Sequence, residues 1–255
     1  MEQIRTFVVS LKTAAERRQL ISSQFEKLNL NFEFFDAFWG KDYYDNPVYF
    51  DSQCAEKLEK RVLKPGEVGC ALSHLEIYKT MLNENLPYVL IIEDDALISE
   101  DISQVVQQII SQIKPFDLIT LCKCDIYSKK NKKSLYKNYE LVKPKMIKYG
   151  SICQTAGYII TKEAAKIILD FNFPVKVPAD SWGYYEKKIN FYGIIPSRSL
   201  IKQNYELESS IVNGIRHTEK KSTVFSLLFY RFYTRNPIGI LLKSVYKRIF
   251  KCYKK

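Results

Sequence analysis

Apolar runs and amphipathic stretches alternate along most of the chain. The runs at residues 7–9, 88–92 and 157–160 contain almost only apolar side chains, which is typical of strands buried on both faces of a sheet. Between residues 65 and 82, apolar side chains recur every three or four positions, which predicts a helix that begins at Pro65. Strands that alternate with helices in this way predict an α/β/α sandwich with a mainly parallel central sheet.

Two shorter patterns add detail to this outline. Residues 13–16 (TAAE) match a capping box, which predicts the start of a helix that runs to about residue 28. Residues 127–148 are rich in Lys, Tyr and Asn, so we expect an irregular, exposed insertion there.

Charge divides the chain into two parts. The net charge is +11, but residues 220–255 hold ten of the 39 Lys and Arg residues and no Asp or Glu. The rest of the chain contains 29 basic and 28 acidic residues, so this body is nearly neutral. We therefore expect a catalytic or binding domain over residues 1–219 and a basic tail over residues 220–255. A nucleic-acid partner is not expected, because it would call for a basic face on the body itself.

The tail has the pattern of a basic amphipathic helix. Its apolar stripe, at helical spacing, consists of Ile238, Leu241, Leu242, Val245 and Ile249. Such a helix lies on an anionic membrane surface, although packing of the stripe on the body is the alternative. The first residues lead directly into a strand, so we expect no secretory leader and six reduced cysteines. These expectations place the protein in the cytoplasm, at the inner face of a membrane.

Three adjacent acids, Glu93, Asp94 and Asp95, follow the buried run at 88–92 directly. Open α/β sheets bind ligands at the carboxyl ends of their strands. A divalent cation such as Mn²⁺ or Mg²⁺ would offset the mutual repulsion of the acids. In an extended segment Glu93 and Asp95 share a face, which makes them the candidate metal ligands, and Asp94 points away. A solvated acidic loop before a helix is the alternative.

Several motifs resemble those of glycosyltransferase family 25 and occur in the same order along the chain. Residues 63–75 (LKPGEVGCALSHL) look like the PGE-GC-SH signature of that family of bacterial lipooligosaccharide galactosyltransferases and related collagen galactosyltransferases. The other matching segments are residues 7–18 (FVVSLKTAAERR), 34–37 (FFDA), 90–96 (LIIEDDA), 157–161 (GYIIT) and 177–180 (VPAD). The tail beyond residue 220 lies outside the resemblance.

The resemblance implies a GT-A-type, Rossmann-like fold and a definite activity. It implies inverting transfer, by a single displacement, of a sugar from a UDP-sugar, often UDP-galactose, to a lipid-linked oligosaccharide acceptor. The acidic motif then corresponds to the metal-binding motif of such folds, with Glu93 and Asp95 as ligands. A third ligand is not identified, and His217 is only a weak candidate. The residues expected to bind the donor are Ser10, Arg17, Asp36, Asp94 and Ser210.

Two residues are candidates for catalysis. Asp180 lies beside the aromatic segment 182–185, where a sugar ring can stack, and its carboxylate is the candidate general base. The alternative is that Asp180 caps a helix that includes Glu186. His74 lies on the helix that begins at Pro65, where it either packs in the core or reaches the active site. For Arg17, an exposed helix face is the alternative to a contact with the diphosphate.

Two other functions are weighed against the glycosyltransferase. A metal-dependent sugar nucleotidyltransferase shares the acidic metal site, but it usually carries a glycine-rich phosphate loop after the first strand. Residues 10–13 (SLKT) contain no glycine, which argues against it. The other alternative is a non-catalytic module that binds a membrane surface through its tail.

Overall fold

A computed structural model describes residues 4–112 and 116–204. The strands are β1 (Thr6–Ser10), β2 (Glu33–Asp36), β3 (Tyr88–Glu93), β4 (Ala96–Ile98), β5 (Leu118–Thr120), β6 (Lys133–Ser134), β7 (Glu140–Val142), β8 (Gly157–Thr161), β9 (Phe191–Ile195) and β10 (Ile201–Gln203). The helices are α1 (Ala15–Lys27), α2 (Ser52–Glu59), α3 (Pro65–Asn83), α4 (Ile102–Gln112) and α5 (Lys162–Asn172), with short 3₁₀ turns between them. Ser210, His217 and the basic tail lie outside the described residues.

Eight strands form the central sheet in the order β2-β1-β3-β8-β5-β9-β7-β6. Strands β2, β1 and β3 are parallel, and β8 runs antiparallel to both of its neighbours, β3 and β5. Of these eight strands, only β8 and β7 oppose the common direction. The prediction of an α/β sandwich with a mainly parallel central sheet is therefore confirmed. Antiparallel pairing of β10 with β4 places Gln203 opposite Ala96, next to the three acids.

Both faces of the sheet are buried, which explains the continuous apolar runs. Alternate residues of β1 and β3 point to opposite faces. Val8 and Leu90 pack in one core with α1 and α4, whereas Val9 and Ile91 pack in the other with α3 and α5. Helices therefore cover both faces, and each fully buried aliphatic side chain of this kind contributes about 1.5–3 kcal/mol of hydrophobic free energy.

Helix α3 begins where the sequence predicts. Pro65 occupies its first turn, and the Glu67 carboxylate accepts a hydrogen bond of 2.8 Å from the backbone N–H of Lys64. On its inner side, Gly69 lies against the loop that follows β2. A Cβ at Gly69 would lie 2.7 Å from the backbone nitrogen of Gly40. The absence of a side chain therefore lets this loop and α3 approach each other and form one wall of the site.

Two local predictions are wrong. Residues 127–148 are not an irregular, exposed insertion, because β7 pairs with β9 and the side chains of Leu141 and Val142 are buried. Because lysines surround these few apolar residues, the composition of the segment does not indicate a buried strand. The capping box at residues 13–16 is also absent, since α1 begins at Ala15 and no side chain caps it. In the part of the chain that the structure describes, no helix combines the length and apolarity that crossing a membrane requires.

Candidate active site

The three acids lie where β3 ends, at the carboxyl edge of the parallel strands. Glu93 is the last residue of β3, and Asp94 and Asp95 form the turn that leads into β4. The backbone N–H of Asp94 donates to the carbonyl of Val9 in β1, which ties the turn to the neighbouring strand. Asp94 is only 6% exposed and Asp95 only 8% exposed, so this is not a solvated acidic loop.

Arg17 of α1 contacts two of the acids. Its guanidinium forms an ion pair with the Asp94 carboxylate and lies 3.5 Å from Oδ2 of Asp95. Ser10, at the end of β1, donates a hydrogen bond of 2.6 Å to Oδ2 of Asp94. Asp94 and Asp95 thus share one cation and do not point apart as expected, because the strand ends at Glu93 and its alternation stops there. Arg17 is part of the site, and the alternative of an exposed helix face does not apply.

Asp95 carries an oxygen that lacks a hydrogen-bond partner. Its Oδ2 accepts a 2.8 Å hydrogen bond from the Gln203 side chain, and its backbone carbonyl accepts one from the N–H of Asn204. Within residues 4–112 and 116–204, however, no group pairs with its buried Oδ1. Burial, followed by the negative charge of Glu93, raises the pKa of Asp95 to about 6. A cation at this oxygen would relieve both costs.

Glu93 turns toward α3 and β8. Its Oε1 accepts a hydrogen bond of 2.5 Å from Thr155 and lies 3.4 Å from Nε2 of His74. Burial alone would raise the pKa of Glu93, but the contact with His74 and the Thr155 hydroxyl lower it on balance. His74 is 2% exposed, and its Nδ1 lies 2.7 Å from the Tyr158 hydroxyl. His74 therefore lies in the core and contacts the acidic cluster through Glu93.

Asp180 lies in the loop before a 3₁₀ turn, Trp182–Tyr185. Its Oδ2 accepts a 3.2 Å hydrogen bond from the backbone N–H of Gln154. Burial raises the pKa of Asp180, and the negative charge of Glu93 adds to this rise. The hydrogen bond from Gln154 lowers the pKa, but by less than burial raises it. The predicted alternative, a helix cap, is not observed, because the N-cap position belongs to Ser181 and no side chain caps the turn.

Two cavities meet at the acids. The first is lined by Ser10, Leu11, Arg17, the loop 37–40, Gly66 and the three acids, among others. The second is lined by Glu67, Gln154, Thr155, Pro178, Ala179 and Asp180. Cys70, Glu93 and Gln203 belong to the walls of both cavities. The two cavities therefore adjoin at Cys70, Glu93 and Gln203, and Asp180 lines the second.

Of the two remaining donor-binding candidates, Asp36 is the one that the described residues include. Asp36 ends β2 beside Ser10, and its carboxylate pairs with Arg18 at 2.5 Å while its side chain stays 56% exposed. Asp36 thus lies at the rim, where Arg18 already neutralises it. Ser210 lies outside the described residues.

Sequence reasoning missed three side chains that hold the acids or line both cavities. Thr155 and Gln203 bond Glu93 and Asp95, and Cys70 lies 3.7 Å from Glu93. Thr155 and Gln203 belong to no recognisable pattern, since they meet the acids only through pairing of β8 with β3 and of β10 with β4. Cys70 lies inside the GC-SH motif, which could have marked it.

Comparison with known proteins assigns the family. Residues 3–182 match the family model "Glycosyltransferase family 25 (LPS biosynthesis protein)". A Haemophilus influenzae Rd protein provisionally named a glycosyltransferase is 30% identical over 246 residues, covering 89% of this chain and 83% of its own length. The lipooligosaccharide biosynthesis protein lic2B of Haemophilus influenzae is 29% identical, covering 63% of this chain. The lacto-N-neotetraose biosynthesis glycosyltransferase LgtE of Neisseria gonorrhoeae is 28% identical, covering 66%.

This chain spans 60% of the length of both lic2B and LgtE. Among solved structures, a glycosyltransferase involved in glycosylation of the major capsid of PBCV-1 covers 75% of this chain and 81% of its own, at 9% identity and a TM-score of 0.38. That likeness is too weak to carry a conclusion.

The buried acids at a sheet edge, facing two adjoining cavities, and the family match define a glycosyltransferase. The chain belongs to glycosyltransferase family 25, as its motifs predicted. Neither the nucleotidyltransferase nor the non-catalytic module finds support in this membership.

The raised pKa of Asp95 predicts how stability responds to Asp95→Asn. The folded state holds this proton more tightly than the unfolded chain, so Asp95 lowers the stability as the pH rises from about 4 through about 6. Asparagine does not ionise, so the variant should melt a few degrees above the wild type at pH 7.5 and show little gain near pH 4. Differential scanning fluorimetry across this range measures the difference.

The exposed pair of Asp170 with Lys166 provides the control, because Asp170→Asn should give no such gain. A lower melting temperature of Asp95→Asn at pH 7.5 would show instead that the ion pair with Arg17 stabilises the ionised carboxylate.

Proposed function

We propose that this protein transfers a hexose, galactose, from a UDP-sugar to a lipooligosaccharide or lipopolysaccharide acceptor, with inversion and with the help of a divalent metal ion. The observation that carries this proposal is the meeting of the two cavities at Cys70, Glu93 and Gln203, with the acids on one side and Asp180 on the other. The names of lic2B and LgtE, which refer to lipooligosaccharide and lacto-N-neotetraose biosynthesis, support the class of acceptor.

The residues at the first cavity fit a hard divalent cation. Glu93 and Asp95 offer carboxylate oxygens, and the buried Oδ1 of Asp95 has no hydrogen-bond partner among the described residues. These two residues would hold Mn²⁺ or Mg²⁺. When bound, the ion would balance the charge that develops on the departing nucleoside diphosphate.

The protein's own groups would bind the donor in the same cavity. Arg17 lines the cavity and carries a positive charge that phosphate oxygens can share with Asp94. The hydrogen bond from Ser10 holds Asp94, and so the guanidinium, in place. Trp39, on the cavity wall and 42% exposed, offers a flat face for the uracil or the sugar ring. We propose that Asp36, at the neighbouring rim, contacts the nucleoside.

Asp180 would act as the general base from the second cavity. In a single displacement, the acceptor hydroxyl attacks the anomeric carbon from the face opposite the departing UDP, which inverts the configuration. The proton of that hydroxyl passes to the Asp180 carboxylate as the new bond forms. A pKa raised by burial makes this carboxylate a better proton acceptor near neutral pH. The hydrogen bond from the backbone N–H of Gln154 keeps it oriented toward the acceptor.

Removal of the base should slow the chemical step selectively. Asp180→Asn keeps the shape of the side chain but cannot accept the proton, so kcat should fall by about 10²–10⁴-fold while the KM for the donor changes little. Steady-state kinetics on purified variants measures both constants. Asp170→Asn, an exposed aspartate in an i,i+4 pair, is the control and should retain full kcat. A kcat near the wild-type value in Asp180→Asn would remove Asp180 from the mechanism.

The donor can be identified directly. UDP release should be fastest with UDP-galactose in a panel that also contains UDP-glucose and UDP-N-acetyl sugars, in the presence of a lipooligosaccharide acceptor. A chelator should abolish the release, and added Mn²⁺ should restore it, because Glu93 and Asp95 need a cation to bind the diphosphate. Metal-independent turnover would contradict metal assistance, and an absence of turnover with every UDP-sugar would contradict the donor class.

We further propose that the protein acts as a peripheral enzyme on the cytoplasmic face of the inner membrane. The support is the basic, amphipathic sequence pattern of residues 220–255, which lie outside the described residues. Deletion of residues 220–255 should reduce flotation with anionic liposomes and leave transfer to a soluble acceptor largely unchanged. Equal flotation of the truncated and full-length proteins would indicate that the tail does not bind the membrane.

A further inference from the structure

A thiol, an imidazole and a carboxylate converge between α3 and β3. Cys70 and His74 are four residues apart on α3 and therefore lie one turn apart on the same face. Nε2 of His74 lies 3.4 Å from Oε1 of Glu93, and Sγ of Cys70 lies 3.7 Å from the same oxygen. The three potential ligand atoms all lie within 4.8 Å of one another.

This geometry is close to the ligand shell of zinc. Zn²⁺ binds thiolate sulfur at about 2.3 Å, and imidazole nitrogen and carboxylate oxygen at about 2.0–2.2 Å, in a tetrahedral arrangement. Those bond lengths separate neighbouring ligand atoms by about 3.3–3.6 Å. The two distances to Glu93 already lie close to this range. A small movement of the Cys70 or His74 side chain would bring all three atoms into it.

The surroundings of His74 favour the same use. The Tyr158 hydroxyl lies 2.7 Å from Nδ1 of His74, and the Tyr78 hydroxyl lies 2.7 Å from that of Tyr158. Tyr78, His74 and Tyr158 are all at most 2% exposed. A metal-binding histidine usually has its second ring nitrogen fixed by such a hydrogen bond. The pair of tyrosines therefore fixes the imidazole with Nε2 aimed at Glu93.

One side of the cluster remains accessible. Cys70 and Glu93 line both cavities, so a metal between them could take a water molecule or a substrate oxygen as its fourth ligand. Asp94 and Asp95 instead contact Arg17, Ser10 and Gln203, away from Cys70 and His74. Glu93 thus belongs to a separate group of potential ligands on the α3 side of the acids.

We propose that Cys70, His74 and Glu93 form a binding site for a thiophilic divalent cation, Zn²⁺, distinct from the site that Glu93 and Asp95 offer to Mn²⁺ or Mg²⁺. Thiolate and imidazole select zinc, whereas two carboxylates suit the harder ions. Binding replaces the thiol proton of Cys70, which passes to the solvent. Because a zinc ion on the α3 side would draw the Glu93 carboxylate away from Asp95, zinc should inhibit the transfer reaction. This last consequence alone rests on the proposed function.

Cobalt provides a spectroscopic test on the metal-free, full-length protein. Co²⁺ titration should produce a thiolate-to-cobalt charge-transfer band in the near ultraviolet and the visible bands of a tetrahedral ion, and one equivalent of Zn²⁺ should remove both. Cys70→Ser and Cys70→Ala should each lose the charge-transfer band. Cys54→Ser, which alters a cysteine of α2 outside the cluster, should retain it.

A second variant tests the hydrogen-bonded support of His74. Tyr158→Phe removes the hydroxyl that contacts Nδ1 and should weaken zinc binding about 10–100-fold, measured by competition with a chromophoric chelator. Circular dichroism on every variant confirms that it is folded. A charge-transfer band of full intensity in both Cys70 variants, or its absence from the wild type, would overturn the proposal.

The consequence for activity is measured separately. Zinc should inhibit UDP release by the wild type in the presence of Mn²⁺, and it should inhibit Cys70→Ser less, each relative to its own rate without zinc. A cobalt band without transferase activity would leave the metal site intact and contradict the proposed function. Transferase activity without a cobalt band would overturn the zinc site and leave the proposed function standing.

Discussion

The close approach of three carboxylates at the end of one buried strand is the constraint on which the site depends. Asp94 and Asp95 are only 6–8% exposed, and such buried charges cost several kcal/mol unless they are compensated. The fold compensates them from two directions. Arg17 of α1 and the hydroxyl of Ser10 hold Asp94, whereas His74 of α3 and Thr155 hold Glu93. Asp95 lies between them and keeps one oxygen without a partner among the described residues, which is where a cation would be most favourable.

The rest of the architecture serves to bring these compensating groups together. Parallel pairing of β1 with β3 sets Ser10 beside the acids, and antiparallel pairing of β8 with β3 sets Thr155 there. The close contact of Gly69 with the backbone of Gly40 draws α3 against the loop after β2. That contact closes one wall of the first cavity and also positions Cys70 and His74 against Glu93. The same packing therefore supports both the first cavity and the cluster on α3.

The sequence was enough to predict the strands that are buried on both faces, the helix from Pro65, the acids and the family. These features are local, since each depends on an apolar period or on a contiguous motif. The partners of the acids were not predictable in the same way. Gln203 reaches Asp95 across more than a hundred residues through the pairing of β10 with β4, and no pattern in the sequence marks that contact. The sequence also did not predict the turn at Asp94, where side chains were expected to keep alternating between the two faces of the sheet. Strand pairing, and not residue type, decides where β3 ends.

We propose that the acids and the first cavity bind a metal ion together with the nucleotide of the donor. A crystal structure with UDP and Mn²⁺, using anomalous diffraction to locate the manganese, tests this claim most directly. We expect one manganese peak within coordination distance of the Glu93 and Asp95 carboxylates, next to the diphosphate of a UDP molecule that contacts Arg17. UDP in the cavity with no manganese at these carboxylates, or UDP bound elsewhere on the protein, would contradict the account.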